Sequence, residues 1–317
     1  MTRRSVLGGA ALAPALWADG LAQTPAPAVV PGAAIVPVPI LTPGITVTGS
    51  DTLDTFDLKN DPFGRVTTQV MLNGKGPFRF FVDTGANRSA LSAATAALIG
   101  AVPTGDGLVH GVTGAQVKPM ATIGLLRCGV FEQRDTVVPI LGDDLILPAA
   151  GMLGMDRFGG LRLEFDNYLR EMVVKRSGHS WSSAISVPAT VRYGQLISAK
   201  ARIGGLNVPI VFDTGAGYAL ANNALRNALK ARAQKIAPTR ISTATMPIMV
   251  ENVMIIPEIR IDNVTINNTT AYIDDFHIFG LWDLIDKPAL IVGMQVLRTV
   301  KRFAFDYRRQ IVQFDTA

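Results

Sequence analysis

The stretch FFVDTGANRS (Phe80 to Ser89) ends an apolar run on an aspartate and follows it with Thr-Gly-Ala, and 130 residues later VFDTGAGY (Val211 to Tyr218) does so again. A carboxylate at the end of a buried strand is costly unless something uses or satisfies it. Two of them in matched settings point to one shared site. The flanks repeat too. Gly74 and Gly204 stand in turn-forming segments nine residues before each aspartate. SAATAALIG (Ser92 to Gly100) and ANNALRNALK (Ala221 to Lys230) read as short helices after each motif, the first with Ser92 as cap and Gly100 as stop. AGMLGM (Ala150 to Met155) answers ALIVGM (Ala289 to Met294), and LRLEFD (Leu161 to Asp166) answers KRFAFD (Lys301 to Asp306). The order of turn, strand, Asp-Thr-Gly-Ala, helix, apolar-apolar-Gly-Met and Phe-Asp hairpin therefore occurs twice, the mark of a duplicated unit.

Between these landmarks the chain is written in short alternating or β-branched runs such as RVTTQVML (Arg65 to Leu72), broken by turn formers such as NGKGP (Asn73 to Pro77). Asn-Gly readily takes the positive φ values of a tight hairpin turn. The expectation is an all-β fold with few short helices, built as two homologous β-rich lobes over residues 61–178 and 179–317. With 317 residues, 48% hydrophobic, the chain can bury a large core.

The two motifs give the site its members. Asp83 and Asp213 are the candidate catalytic pair. Thr84 and Thr214 can hydrogen-bond across a pseudo-twofold axis, and Gly85 and Gly215 let each chain turn with no Cβ against the opposite strand. Ala86 and Ala216 complete the motifs. In this pattern the chain resembles the aspartic proteases, and specifically the retroviral-type, retropepsin-like branch. The resemblance covers both lobes and implies a bilobal aspartic-protease fold, here as two retropepsin-like β-barrel lobes fused in tandem. It implies that Asp83 and Asp213 form the catalytic dyad of an endopeptidase acting on extended polypeptide. Each threonine would brace its aspartate, and each later glycine segment would pack beneath the active loop. Two carboxylates sharing one site hold one proton between them, and the aspartic-protease dyad is the standard illustration. Pepsin-like lobes often carry Ser or Thr where Ala86 and Ala216 stand. Losing that hydroxyl donor implies a dyad working at mildly acidic to near-neutral pH.

A cleft over such a dyad needs a cover. LVHGVTGAQV (Leu108 to Val117) resembles a flap hairpin, with His110, Gly111, Val112, Thr113 and Gly114 at its tip. RISTATMPIMV (Arg240 to Val250) is its lobe 2 counterpart and lacks glycine, so one mobile flap and one stiffer wall are expected. His110 itself reads as an exposed tip residue or a substrate contact. Asp156 faces no acid in the second repeat, where Gln295 stands, and so reads as structural. Trp181, Trp282 and FHIFGLW (Phe276 to Trp282) read as core or lobe interface.

Other classes find no support. The single cysteine, Cys128, permits no internal disulfide and reads as a small buried residue. His110, His179 and His277 lack metal-binding spacing, so neither metal nor cofactor is expected. The formal charge of +5 is scattered, which argues against a nucleic-acid partner. MTRRSVLGGAALAPALWA (Met1 to Ala18) has the basic head and apolar middle of an export signal, assigned to residues 1–22 and of twin-arginine or ordinary secretory type. It points to a bacterial protein, periplasmic or secreted. The proline-rich stretch that follows reads, with its lead-in, as a tether over residues 23–60. No stable membrane span is expected once the signal is removed, and a monomer is expected, with a homo-oligomer left open. Two alternatives stay beside the endopeptidase: a non-catalytic peptide-binding module on the same scaffold, and an enzyme whose lobes pair between chains.

Overall fold

A computed structural model describes residues 52–315 apart from 58, 62, 63, 183, 195, 242 and 243, so the export signal and most of the tether lie outside the described residues. The fold is bilobal and all-β, with five short α-helices among the described residues. Lobe 1 is an eight-stranded sheet in the order Lys59–Asn60, Val66–Leu72, Lys75–Val82, Gly151–Leu153, Ala90–Ser92, Phe131–Leu141, Ala115–Cys128, Val102–His110. It closes by pairing Val66–Leu72 with Ala115–Cys128. Lobe 2 repeats that order strand for strand: Ile185–Arg192, Leu196–Ile203, Leu206–Phe212, Leu290–Val292, Ala219–Ala221, Val264–Ile273, Ile248–Ile261, Gln234–Ile241. Leu196–Ile203 closes on Ile248–Ile261 in the same way. The duplication read from the motifs is thus a duplication of topology.

Local chemistry explains the elements. Asn73 and Gly74 both have positive φ, as do Gly204 and Gly205, and each pair turns a hairpin into a motif strand. In the first helix, Ala93–Ile99, the Ser92 hydroxyl accepts from the Thr95 N–H and Gly100 ends the helix at φ 65°. Asn222 caps Asn223–Ala228 by accepting from the Leu225 N–H. The motif strands are continuously apolar because both faces are covered. Phe80, Val82, Ile210 and Phe212 enter the main core, while Phe81 and Val211 join two smaller clusters on the other side.

The lobes are joined by a six-stranded sheet in the order Thr52–Asp57, Glu171–Lys175, Arg162–Asp166, Arg302–Asp306, Ile311–Asp315, Ile185–Arg192. Its centre is the pairing of the two Phe-Asp strands, with Arg162 opposite Asp306, Glu164 opposite Ala304 and Asp166 opposite Arg302, a register symmetric about its midpoint. Phe165 stacks on Phe303 at 4.7 Å, and Phe305 lies 5.7 Å from Phe212, the residue before Asp213. The joining sheet therefore packs directly under the second motif. Thr52–Asp57, which the sequence places in the lead-in, is the outer strand of this sheet and the counterpart of the start of Ile185–Arg192. Only Phe56 of its six residues is buried, so its alternation is too faint to read. The 176–184 segment lays Trp181 against the other face, its ring near the guanidinium groups of Arg162 (5.0 Å) and Arg302 (4.6 Å). Among the described residues no helix is long and apolar enough to cross a membrane.

Phe305 is fully buried at this junction. Phe305→Ala is expected to destabilise the protein by about 3–5 kcal/mol in chemical denaturation. Tyr168→Ala, at an 81% exposed turn, should change stability by less than about 0.5 kcal/mol.

Candidate active site

Each aspartate is set in place by its backbone. The Asp83 N–H donates to Leu153 O at 2.9 Å and the Asp213 N–H to Val292 O at 3.0 Å, continuing the parallel pairing of each motif strand with the strand before its Gly-Met. The next residues brace the loops from the other side: Met155 N–H donates to Ala86 O (2.9 Å) and Met294 N–H to Ala216 O (2.8 Å). Gly154 and Gly293 are required by proximity, since a Cβ on either would stand 2.4 Å from the backbone of Arg88 or Tyr218. This is the packing that the resemblance implies for each later glycine segment.

The threonines lock the two motifs to each other. Thr84 Oγ1 accepts from the Thr214 N–H at 3.0 Å and donates to Phe212 O at 3.1 Å. Reciprocally, Thr214 Oγ1 accepts from the Thr84 N–H at 3.1 Å and donates to Val82 O at 2.8 Å. Both side chains are fully buried, so these four bonds satisfy groups that no solvent reaches.

Over this lattice the carboxyls face each other. A Cβ on Gly85 would lie 2.4 Å from Asp213 Cγ, and one on Gly215 would lie 2.3 Å from Asp83 Cγ, so each carboxyl occupies the space left by the opposite glycine. The surroundings are unequal. Asp213 Oδ1 accepts from the N–H groups of Gly215 (2.7 Å) and Ala216 (3.1 Å), whereas Asp83 Oδ1 accepts from Gly85 alone (2.9 Å). Burial, then the charge of Asp213 and the hydrogen bond shared with it, hold the Asp83 carboxyl well above its ordinary range near 3.8; the Gly85 N–H and Arg65 pull the other way. Burial also raises Asp213, and hydrogen bonds from Asp83 and from the N–H groups of Gly215, Ala216 and Gly85 oppose it.

The carboxyls form the floor of a cavity of about 220 Å³. One wall is apolar from lobe 1 (Phe81, Leu141, Ile146) and the other from lobe 2 (Leu220, Trp282, Ile291). Arg65 also lines it, lying over the Phe81 ring at 4.1 Å and bonded through Nε to the buried Asp61 at 2.6 Å.

A hairpin from each lobe roofs the cavity. Val102–His110 and Ala115–Cys128 form the first, as the sequence suggests, with Gly111 N–H donating to Gly114 O at its tip (2.8 Å). Gln234–Ile241 and Ile248–Ile261 form the second, at the segment expected to be the stiffer wall. The hairpin tips meet where Thr113 Oγ1 donates to Met246 O. His110 reaches a partner the sequence did not suggest: its Nδ1 lies 3.1 Å from Nε2 of His277, the first residue of the lobe 2 helix His277–Leu281.

Of the remaining singled-out residues, Asp156 is structural: its Oδ1 accepts from Ser89 N–H (3.0 Å) and Oγ (2.9 Å). Cys128 is buried, which pushes its thiol up to about 12. Trp282 is both core and cavity wall. Arg65, His277 and the pair Arg240–Asp144 were missed, although Arg240 and His110 both stand at the ends of matching hairpin strands. Among the described residues no group of three or more His, Cys, Asp or Glu could hold a metal ion.

Thr84→Val should strand the Thr214 N–H and lower stability by about 1–3 kcal/mol, while Thr84→Ser should stay close to the parent in the same unfolding measurement. Gly85→Ala should displace the Asp213 carboxyl and also lower stability in that measurement.

A search of curated proteins found no match to the chain. A family model described as "Aspartyl protease" matches it twice, over residues 68–157 and 199–296, which together exceed half of the chain and contain both Asp-Thr-Gly-Ala motifs. With the motif, the mirrored lobes and the facing carboxyls in agreement, the chain belongs to the aspartyl protease family.

Proposed function

We propose that the protein is an aspartic endopeptidase that hydrolyses extended polypeptide with a water molecule activated by Asp83 and Asp213. The observation that carries this is the pair of facing carboxyls on the floor of a roofed cleft with apolar walls. That the pair forms within one chain supports an intramolecular dyad over lobes paired between chains.

The unequal hydrogen bonding divides the roles. Asp213, with two N–H donors from its own loop, is the better-stabilised anion and acts as general base; Asp83 holds the shared proton and acts as general acid. Asp213 takes a proton from water as the water oxygen bonds to the peptide carbonyl carbon, and Asp83 donates its proton to the carbonyl oxygen. The resulting tetrahedral diol passes a proton to nitrogen through the pair as the C–N bond breaks, releasing a carboxylic acid and an amine. The dyad then again holds one proton. The roof excludes bulk water from these transfers.

The basic head and apolar run of residues 1–18 support an exported, bacterial enzyme acting outside the cytoplasm. The strand order supports two lobes, with the first beginning near Thr52.

Asp83→Asn and Asp213→Asn should each abolish cleavage of a proteome-derived peptide mixture; full activity in both would overturn the proposal. Activity requires one proton on the pair. Because both carboxyls sit above 3.8, the acid limb of the pH–rate profile should lie above the ordinary aspartate range, giving an optimum at mildly acidic to near-neutral pH. Stability has the opposite dependence on pH. A carboxyl raised on folding favours the folded state fully below 3.8, and that contribution is lost as pH rises through the folded value. Asp83→Asn should therefore raise the thermal midpoint at neutral pH, measured by calorimetry.

A further inference from the structure

The two hairpins over the cleft are each fastened to the opposite lobe, and the fastenings differ in chemistry. Helices Asp143–Ile146 and His277–Leu281 hold corresponding places in the two lobes. The hairpin of lobe 2 reaches the first of them through Arg240, whose guanidinium lies 3.4 Å from Asp144 Oδ2. The hairpin of lobe 1 reaches the second through His110, the last residue of the strand that matches the one carrying Arg240. Its Nδ1 lies 3.1 Å from His277 Nε2 with the rings within 2° of coplanar. Beside this pair the Ile278 N–H donates to Val112 O at 3.2 Å. Both hairpins are thus fastened across the cleft, and their tips are joined at Thr113 and Met246.

We propose that the His110–His277 pair is a pH-sensitive latch on the first flap, closed while the pair carries at most one proton and released when both rings are protonated. As a control on peptide entry, it rests on the proteolytic reading above. A single N–H···N bond needs one ring to donate and the other to accept, which the neutral and singly protonated pairs both provide. A second proton removes the acceptor and leaves two cations 3.1 Å apart, a repulsion that even in bulk water changes an equilibrium by about tenfold.

The surroundings do not cancel this. The flap carries Asp106 and Lys118, and Lys118 Nζ is directed to Thr245 O at 3.5 Å. Ahead of the helix lie Asp274 and Asp275, whose carboxylates accept from the N–H groups of Asp275 and Asn223. Arg240, Asp144, Arg65 and the dyad line the rest of the cavity. Among the described residues neither imidazole is hydrogen-bonded to any of these groups. Partial burial and the neighbouring His277 also lower the affinity of His110 for a proton below that of a free imidazole near 6.5. Docking therefore disfavours the protonated form: the latch is at full strength above that range and weakens as pH falls through it. The Arg240–Asp144 fastening contains no histidine, so only the first flap is built to respond to mild acid.

Amide hydrogen exchange on the whole chain reads the latch without requiring hydrolysis. Between about pH 7.5 and about pH 5, protection of the Ile278 amide and of the 102–128 hairpin, corrected for intrinsic exchange, should fall about tenfold, while the 234–261 hairpin keeps its protection. His110→Arg combined with His277→Asp installs the chemistry of the other fastening and should hold the first flap closed at both pH values. Should that protein not fold, His277→Gln, which cannot titrate, should likewise lose the pH response. Equal protection at both pH values in the parent, or an unchanged fall in these variants, would overturn the latch. A pH-dependent flap in a protein that cleaves no peptide would instead overturn the proteolytic reading and leave the latch standing.

Discussion

The reciprocal bonds between Thr84 and Thr214 are the constraint on which the rest of this molecule depends. Each hydroxyl serves as both acceptor and donor across the lobe boundary, so neither motif has its buried backbone satisfied without the other. That mutual dependence sets the separation of the two strands. The separation in turn leaves room above each glycine for the opposing carboxyl and for nothing larger. The joining sheet reinforces the same geometry from below, carrying the aromatic stack from Phe165 and Phe303 through Phe305 to Phe212.

What is held together this way is not comfortable. Two acids share one desolvated site, and the lattice keeps them there against a repulsion that grows as they ionise. The proton shared between them relieves part of that repulsion, and the N–H groups of Gly215 and Ala216 relieve more on one side than on the other. A symmetric fold thus presents an asymmetric charge distribution, the one that the proposed division into one acid and one base would use. Stability given up at such a site is the usual companion of activity.

The sequence was most legible where local chemistry decides the outcome. The Asn73-Gly74 turn, the Ser92 and Gly100 caps and the apolar strands ending on aspartate each carry their cause within a few residues. The repeat then extended these local signals to a whole-chain architecture. Legibility ended where a cause lies far along the chain. Nothing near His110 announces His277, and nothing near Arg65 shows that it will lie on Phe81 while bound to Asp61. The outer strand Thr52–Asp57 is hidden for another reason: an edge strand with one buried side chain has almost no periodicity to detect.

The six-stranded sheet that joins the lobes has a consequence beyond support. A site divided between two identical chains dissolves on dilution, and any residue change appears in both halves at once. Here the halves share one covalent chain and one sheet, so the site persists in a single molecule at any concentration. Each half is also free to vary alone: a histidine can stand at one mouth of the cleft and an arginine at the other. Fusion converts a symmetric object into one with a left and a right side, and hence with two directions from which a polypeptide can be held.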